Sequence, residues 1–314
     1  MDFHQLRVFI EVARQKSFSR AAENIFLTQP TVSAHVKALE NEIGTPLLDR
    51  SKRDLQLTEA GTILFQHAQQ LLSIKETALS SIQKEYQIVQ GHLEIAASSV
   101  PGAYLLPHLM LSFFRECPQV TFSVLLRDTK QVLQYINDFT YDLGFVGEPV
   151  KQDGLEQIRL IRDELVLIAA PQTPLPAAAP AHPPETTLPG IEVAACLEKP
   201  FLMREPGSAT RMVFEKALKK RYQKNMRFQV IAYLEGQDAI KQAVKAGLGL
   251  SVISRKAVEE EIAFGTLAAY RLLDINAERH FYLVYKKNRI LPTLSQAFLE
   301  HCKEYFARQS AQEP

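Results

Sequence analysis

Cysteine is scarce in this chain: Cys117, Cys196 and Cys302 are the only three in 314 residues, odd in number and far apart. They give neither a disulfide framework nor metal-ligand spacing, and the histidines form no His-Glu-x-x-His pair. The expectation is reduced thiols and no metal site. No apolar run approaches the length of about 18 residues that a membrane span needs, and the N-terminus shows no basic segment followed by an apolar signal stretch. A soluble cytoplasmic protein, neither exported nor membrane-bound, is expected. A Gly-rich phosphate loop and a nucleophile elbow are missing, and no pairing of Asp and Glu is signalled. That excludes the familiar enzyme classes and leaves no catalytic residue or cofactor to name. Charge of one sign is missing too. The formal net charge is +1, and residues 1–90 hold ten Lys plus Arg against ten Asp plus Glu. An electrostatic footprint for nucleic acid must therefore be local, or be multiplied by oligomerisation.

What is present starts at the N-terminus. Phe3, Leu6, Phe9, Ile10 and Ala13 fall at helical spacing, and so do Val32, Val36, Leu39 and Ile43. Between these two amphipathic helices lies Ser17-Phe18-Ser19-Arg20-Ala21-Ala22, with Ser17 suited to cap a short second helix. Thr28 suits the cap of the third, Pro30 sits in its first turn, and Gly44 and Pro46 end it. Burying the apolar stripe leaves Gln29, Pro30, Thr31, Ser33, Ala34 and His35 on the outer surface, where amide and hydroxyl groups can bond base edges. Arg50, Lys52 and Arg53 form a basic cluster before a short return strand over 54–58, as in a winged helix-turn-helix whose wing touches phosphate or minor groove. The candidate DNA-binding residues are Ser17, Ser19, Arg20, Thr28, Gln29, Pro30, Thr31, Ser33, His35, Lys37, Arg50, Lys52 and Arg53. The competing reading is a small helical bundle with a solvated basic loop.

From Thr58 to Val89 the chain runs without proline, with Leu64, Ala68, Leu71, Ala78, Ile82, Tyr86 and Val89 near a 3,4 spacing that Lys75 interrupts. About 30 helical residues would reach roughly 45 Å. Such a stripe can dock on the following domain or pair with a second copy. After Gly91, short apolar runs at 93–97, 120–126, 143–146, 165–169, 228–233, 250–253 and 281–285 alternate with helical stretches. This is α/β architecture with mostly parallel, buried strands. Seven prolines between Pro171 and Gly190 predict a rigid exposed loop. Ser98-Ser99, Asp128-Thr129, Gly147-Glu148 and the run Arg204 to Arg211 fall where strands end or helices begin. Hydroxyls and free N–H groups there suit a small oxyanion or carboxylate, although simple N-capping explains any one of them.

The ordered set Ser17 to Ala22, Gln29-Pro30, Ser33, Leu39-Glu40, Gly44, Pro46-Leu47, Asp49-Arg50 and Leu57-Thr58-Glu59-Ala60-Gly61 resembles the winged helix-turn-helix of LysR-type transcriptional regulators. Leu47-Leu48 stands where the family often has Leu-Phe. Ala34 stands where it often has arginine, which bears on the target sequence and not on DNA binding itself. The resemblance implies a winged helix-turn-helix over 1–58, a linker and antiparallel dimerisation helix over 59–90, and an effector-binding domain over 91–300. Two Rossmann-like lobes resembling type II periplasmic binding proteins would share that last part: lobe I over 91–162 and 267–300, lobe II over 163–266, with hinges near Arg162 and Leu267. Residues 301–314 would be a C-terminal tail.

The resemblance further implies a homotetramer of two dimers on double-stranded DNA. An effector closing the cleft would change the DNA bend and the access of RNA polymerase. The effector-binding candidates are Ser98, Ser99, Thr129, Gly147, Glu148, Arg204, Ser208 and Thr210. Arg204 to Arg211 is similar to the family branch that includes regulators of cysteine synthesis, sulfur assimilation and carbon fixation. Residues 1–50 resemble members associated with selenium or sulfur metabolism. A sulfur or selenium oxyanion, or a related small carboxylate, is the implied effector. The rival from another class is a cytoplasmic small-molecule-binding protein whose N-terminal bundle only dimerises it.

Overall fold

A computed structural model describes residues 1–49, 55–84, 89–176, 188–222, 227–287 and 289–310. Residues 177–187 of the loop expected between Pro171 and Gly190, and the expected basic cluster Arg50, Lys52 and Arg53, lie outside the described residues. Two compact units form, one built on the first 89 residues with the short segments 138–140 and 289–296, and one on the rest of the chain.

In the first unit, α1 (Phe3–Gln15) starts at a capping box: the Gln5 N–H donates to Asp2 Oδ1 at 2.7 Å, and Asp2 N–H to Gln5 Oε1 at 3.0 Å. Helix α2 (Phe18–Asn24) opens on Ser17, whose hydroxyl accepts from Arg20 N–H, and α3 (Gln29–Ile43) on Thr28, whose hydroxyl accepts from Thr31 N–H. Leu6, Phe9, Ile10, Ala21, Ala22, Val32, Val36 and Leu39 close the core among the three. Three residues of the expected apolar stripes fall outside it: Phe3 is exposed, Ala13 is half-buried, and Ile43, on the last turn of α3, is 39% exposed. Leu47 and Leu48 fill core space, and Glu40 Oε1 accepts from the N–H of Leu47 at 2.9 Å and Leu48 at 3.3 Å. That contact aims β1 (Leu48–Asp49), which pairs antiparallel with β2 (Gln56–Leu57) as the base of a wing.

Helix α4 (Glu59–Lys84) begins where Thr58 Oγ1 accepts from Gly61 N–H at 2.9 Å. A Cβ on Gly61 would lie 1.9 Å from the Leu47 carbonyl oxygen, so only glycine lets helix and wing approach. The apolar seam divides in two. Leu64 and Ala68 pack on the N-terminal core, whereas Leu71, Ile74 and Ala78, at 3 and 4 spacing, are exposed. Lys75 interrupts the seam because its ammonium lies over the Phe3 ring, 4.8 Å from the centroid. Ile82 and Tyr86 lie outside the described side chains.

The second unit is a sheet wound twice. Its elements are β3 (Gly91–Ala97), α5 (Ser99–Tyr104), α6 (Leu106–Glu116), β4 (Val120–Leu126), α7 (Thr129–Asn137), β5 (Leu143–Val146), β6 (Leu155–Ala169), β7 (Gly190–Ile191), β8 (Pro200–Arg204) and α8 (Ala209–Tyr222). There follow β9 (Gln229–Leu234), α9 (Gln237–Lys245), β10 (Leu250–Ser254), α10 (Glu259–Ala263), β11 (Ala268–Leu272), β12 (Glu278–Lys286) and α11 (Thr293–Ser310). The strand order is β4-β3-β5-β12-β6-β10-β8-β9, with β11 pairing β6 and β7. Parallel pairs make the arms of the sheet, as the buried apolar runs imply, while β12·β5, β12·β6, β10·β6 and β11·β6 are antiparallel.

The lobes meet in β6. Through Glu164 it pairs with β12 in lobe I, and from Leu165 it pairs with β10 and β11 in lobe II. The expected first hinge at Arg162 falls two residues before this switch. The second, expected near Leu267, needs correction: Ala268–Leu272 is β11, paired with the lobe II half of β6, and the chain returns only over 273–277. A short apolar strand carries no mark of which sheet it joins, because partner and register are set by tertiary pairing. The tail boundary is corrected as well. Helix α11 continues to Ser310, with His301, Cys302 and Phe306 buried, so 301–310 belongs to the second unit. Phe113, Phe122 and Phe298 form the aromatic centre of lobe I. Lobe II packs one core about Phe201 and Phe214 and another about Ile240, Val244 and Ile253. Among the described residues, no helix is long and apolar enough to cross a membrane.

Candidate functional site

The first unit presents one end of α3 outward. Gln29, Pro30, Ala34 and Lys37 are exposed and Thr31, Ser33 and His35 half-buried, while Val32, Val36 and Leu39 turn inward. Gln29, Ser33 and Lys37 repeat every fourth residue and so share a face. Ser19 and Arg20 are exposed on the first turn of α2. Four of the candidate side chains carry structural duties as well. Ser17 caps α2, the hydroxyls of Thr28 and Thr31 are hydrogen-bonded to each other at 2.8 Å, and the His35 ring meets His4 edge-on at 4.8 Å.

In the second unit a cavity of about 750 Å³ opens between the lobes. Seven of the eight effector candidates line it: Ser98, Ser99, Thr129, Gly147, Arg204, Ser208 and Thr210. Glu148 does not; it is half-buried one residue beyond Gly147, and burial raises its carboxyl above the usual range against the pull of Lys216 and Arg279. Ser98 opens α5 without capping it, and Thr129 opens α7, where Asp128 Oδ1 accepts from Gln131 N–H at 2.8 Å.

The sequence reading missed the group that organises this cavity. Arg279, on β12, reaches into it 5% exposed. Its Nε donates to Asp163 Oδ2 at 2.8 Å and its Nη1 to Thr210 Oγ1 at 3.2 Å, while Asp163 Oδ1 accepts from Ser254 Oγ at 2.8 Å. Arg204, 3% exposed at the end of β8, donates from Nε and Nη2 to the two Glu205 oxygens at 2.7 Å and from Nη2 to Ser99 Oγ at 3.3 Å. The carboxylates hold the two guanidinium planes and offset much of the cost of burying them. Arg204 Nη1, Arg279 Nη2 and Thr129 Oγ1 are buried without a hydrogen-bond partner. Unmade bonds from buried groups are costly, and here all three belong to residues lining one cavity. No local pattern marks Arg279 or Asp163; their partners are 69 to 116 residues away.

Gly147 is needed for this packing, since a Cβ there would lie 3.2 Å from Arg279 Nη1 and 3.3 Å from the Ala209 Cβ. The site therefore offers hydrogen-bond donors from both lobes to a ligand rich in acceptors. The carboxylates of Asp128, Glu205 and Glu235 line the cavity too, Glu205 being engaged by Arg204. Among the described residues no group of His, Cys, Asp and Glu could hold a metal ion.

Two family descriptions match the chain, the bacterial regulatory helix-turn-helix protein of the lysR family over residues 3–62 and the LysR substrate binding domain over residues 87–307. The chain belongs to the LysR family of DNA-binding transcriptional regulators, which respond to small effectors and are not enzymes. It is 31% identical to the HTH-type transcriptional activator CmpR of Synechocystis, over 95% of this chain and 93% of that one. It is 29% identical to the HTH-type transcriptional regulator CysL of Bacillus subtilis, over 89% of each. The regulatory domain of CcmR from Synechocystis, solved in complex with 2-PG, is 25% identical with a TM-score of 0.60, covering 69% of this chain and 98% of that one. Family membership removes the rival reading of a carrier without DNA binding.

Proposed function

We propose that the effector of this regulator is a small molecule with an oxyanion or carboxylate head, held between the lobes by Arg204, Arg279 and Thr129. The observation that carries this reading is the set of three buried, unpartnered polar atoms on that cavity. Ser98, Ser99, Ser208 and Thr210, with the N-terminus of α7, complete the acceptor-binding surface. CcmR, a relative of this domain, was solved with 2-PG. A volume of about 750 Å³ exceeds that of a bare inorganic anion and leaves room for an organic remainder. Resemblance to the sulfur and selenium branch supports testing metabolites of those elements first.

In the same reading, Gln29, Pro30, Thr31 and Ser33 read base edges in the major groove. Ser17, Ser19, Arg20, Thr28, His35, Lys37, Arg50, Lys52 and Arg53 position the head on the duplex. Exposed Leu71, Ile74 and Ala78 on α4 pair with a second copy, and two dimers assemble into a homotetramer in the cytoplasm. Ligand binding favours one lobe arrangement, and the difference is passed to the DNA and to RNA polymerase.

The test is thermal denaturation of the full-length protein against 2-PG, sulfate, thiosulfate, selenite, phosphate and small carboxylates, with Thr129→Ala alongside. A ligand at a hundred times its Kd stabilises the fold by about 2.7 kcal/mol. Thr129 Oγ1 makes no bond in the structure, so the variant keeps its fold and is expected to lose the shift. An undiminished shift in Thr129→Ala would move the ligand away from this cavity.

A further inference from the structure

Phe26 occupies a backbone slot that normally belongs to glycine. Helix α2 closes in a Schellman arrangement: the Phe26 N–H donates to the Glu23 carbonyl at 3.3 Å and the Leu27 N–H to the Ala22 carbonyl at 2.9 Å, with Phe26 at φ 56°. In the left-handed region a Cβ crowds the following carbonyl, and a bulky side chain is a rare choice there. Helix α3 uses Gly44, at φ 77°, in the corresponding place.

Burial does not repay the strain. Phe26 is 95% exposed, while Ile25 and Leu27 on either side pack against the core of the unit. Strain held without packing in return points to a demand made by a partner. The location says which one. Phe26 lies two residues before Thr28, the cap of α3, and three before Gln29, so it stands at the end of α3 whose side chains face outward. A duplex that admits the start of α3 meets whatever flanks that start.

We propose that Phe26 is a DNA-contacting residue whose ring covers a deoxyribose or a thymine methyl at the edge of the groove that α3 enters. Those are the apolar surfaces a duplex offers. The contact adds affinity by removing apolar area from water and neutralises no phosphate, so it leaves the salt dependence of binding unchanged. The left-handed backbone angle fixes the direction in which the ring leaves the turn. The inference rests on the reading of α3 as the helix that enters the groove.

The experiment uses full-length protein and a duplex selected by it from a random pool, comparing Phe26→Gly, Phe26→Leu and Gln29→Ala. Phe26→Gly is expected to melt higher, because glycine is unstrained at this angle, yet to bind on the order of tenfold more weakly, the size of one lost apolar contact. Its salt slope and sedimentation should match the wild type. Phe26→Leu should bind between the two and melt no higher. Wild-type affinity in Phe26→Gly overturns the proposal. A loss that follows altered self-association overturns it in favour of a contact between copies, and a changed salt slope overturns it in favour of a displaced phosphate contact. If Gln29→Ala alters neither affinity nor base preference, the reading of α3 fails as well; if only Phe26→Gly is neutral, α3 stands and Phe26 does not.

Discussion

At the scale of single residues, the reading face and the thiols give the sharpest expectations. Gln29→Ala is expected to relax base preference at one operator position at a cost of about 1 to 3 kcal/mol, measured by binding to a set of single-base variants of the selected duplex. The cysteines should be unreactive. Burial alone lifts Cys302 well above the usual thiol range, burial first and Asp274 second lift Cys196 to about 11, and burial also raises Cys117. The thiolate is the reactive form, so labelling of native protein near neutral pH should be slow at all three. Fast labelling of one with the fold intact would reopen a redox role. Individual residues were legible where their work is local: Ser17 and Thr28 cap because a hydroxyl beside a helix start reaches N–H groups three residues on. Arg279 was not, because its meaning lies in Asp163 and Thr210, which no nearby sequence announces.

Whole elements were readable wherever periodicity had a single interpretation. Helices α1, α3 and α7 and strands β3 and β5 stand where apolar spacing put them. Strands β8 and β11 and the first half of β6 did not stand out, since short or charged strands take their identity from neighbours across the sheet. The end of β5 is where an element meets the site. Gly147→Ala would push on Arg279 and Ala209, and the expected result is a loss of about 1 to 3 kcal/mol in stability together with loss of the ligand-induced melting shift. Helices α5, α9 and α10 are tied together by Lys241, whose ammonium donates to Tyr104 Oη at 3.0 Å and pairs with Glu261 at 3.1 Å. Burial pushes the Glu261 carboxyl up, but Lys241 and Lys245 pull it further down, below its ordinary value of 4.5. A group depressed by folding stabilises above its ordinary range and stops doing so as pH falls through the lowered value. Glu261→Gln should therefore flatten the acid side of the stability profile of the sensing unit.

At the scale of the molecule, the proposed pairing of copies rests on the surface left on α4. Leu71, Ile74 and Ala78 form a short apolar stripe that the chain itself does not cover. Ile74→Lys should weaken self-association in sedimentation and lower operator affinity through lost pairing of heads, with the helix content of each chain unchanged. A tetramer that persists in this variant would place the pairing surface elsewhere.

The path of the chain through the lobes carries one more consequence. It enters lobe II within β6 and comes back just before β12, and at that doorway the Leu165 N–H donates to the Ala277 carbonyl at 3.0 Å. Lobe II is thus an insertion whose two ends are a single hydrogen bond apart. Such a segment is a natural cassette. Exchanged with a relative's at 164 and 277, it would carry Arg204, Ser208 and Thr210 to a new host and leave Ser98, Thr129 and Arg279 behind, so that ligand choice could be recombined half a pocket at a time.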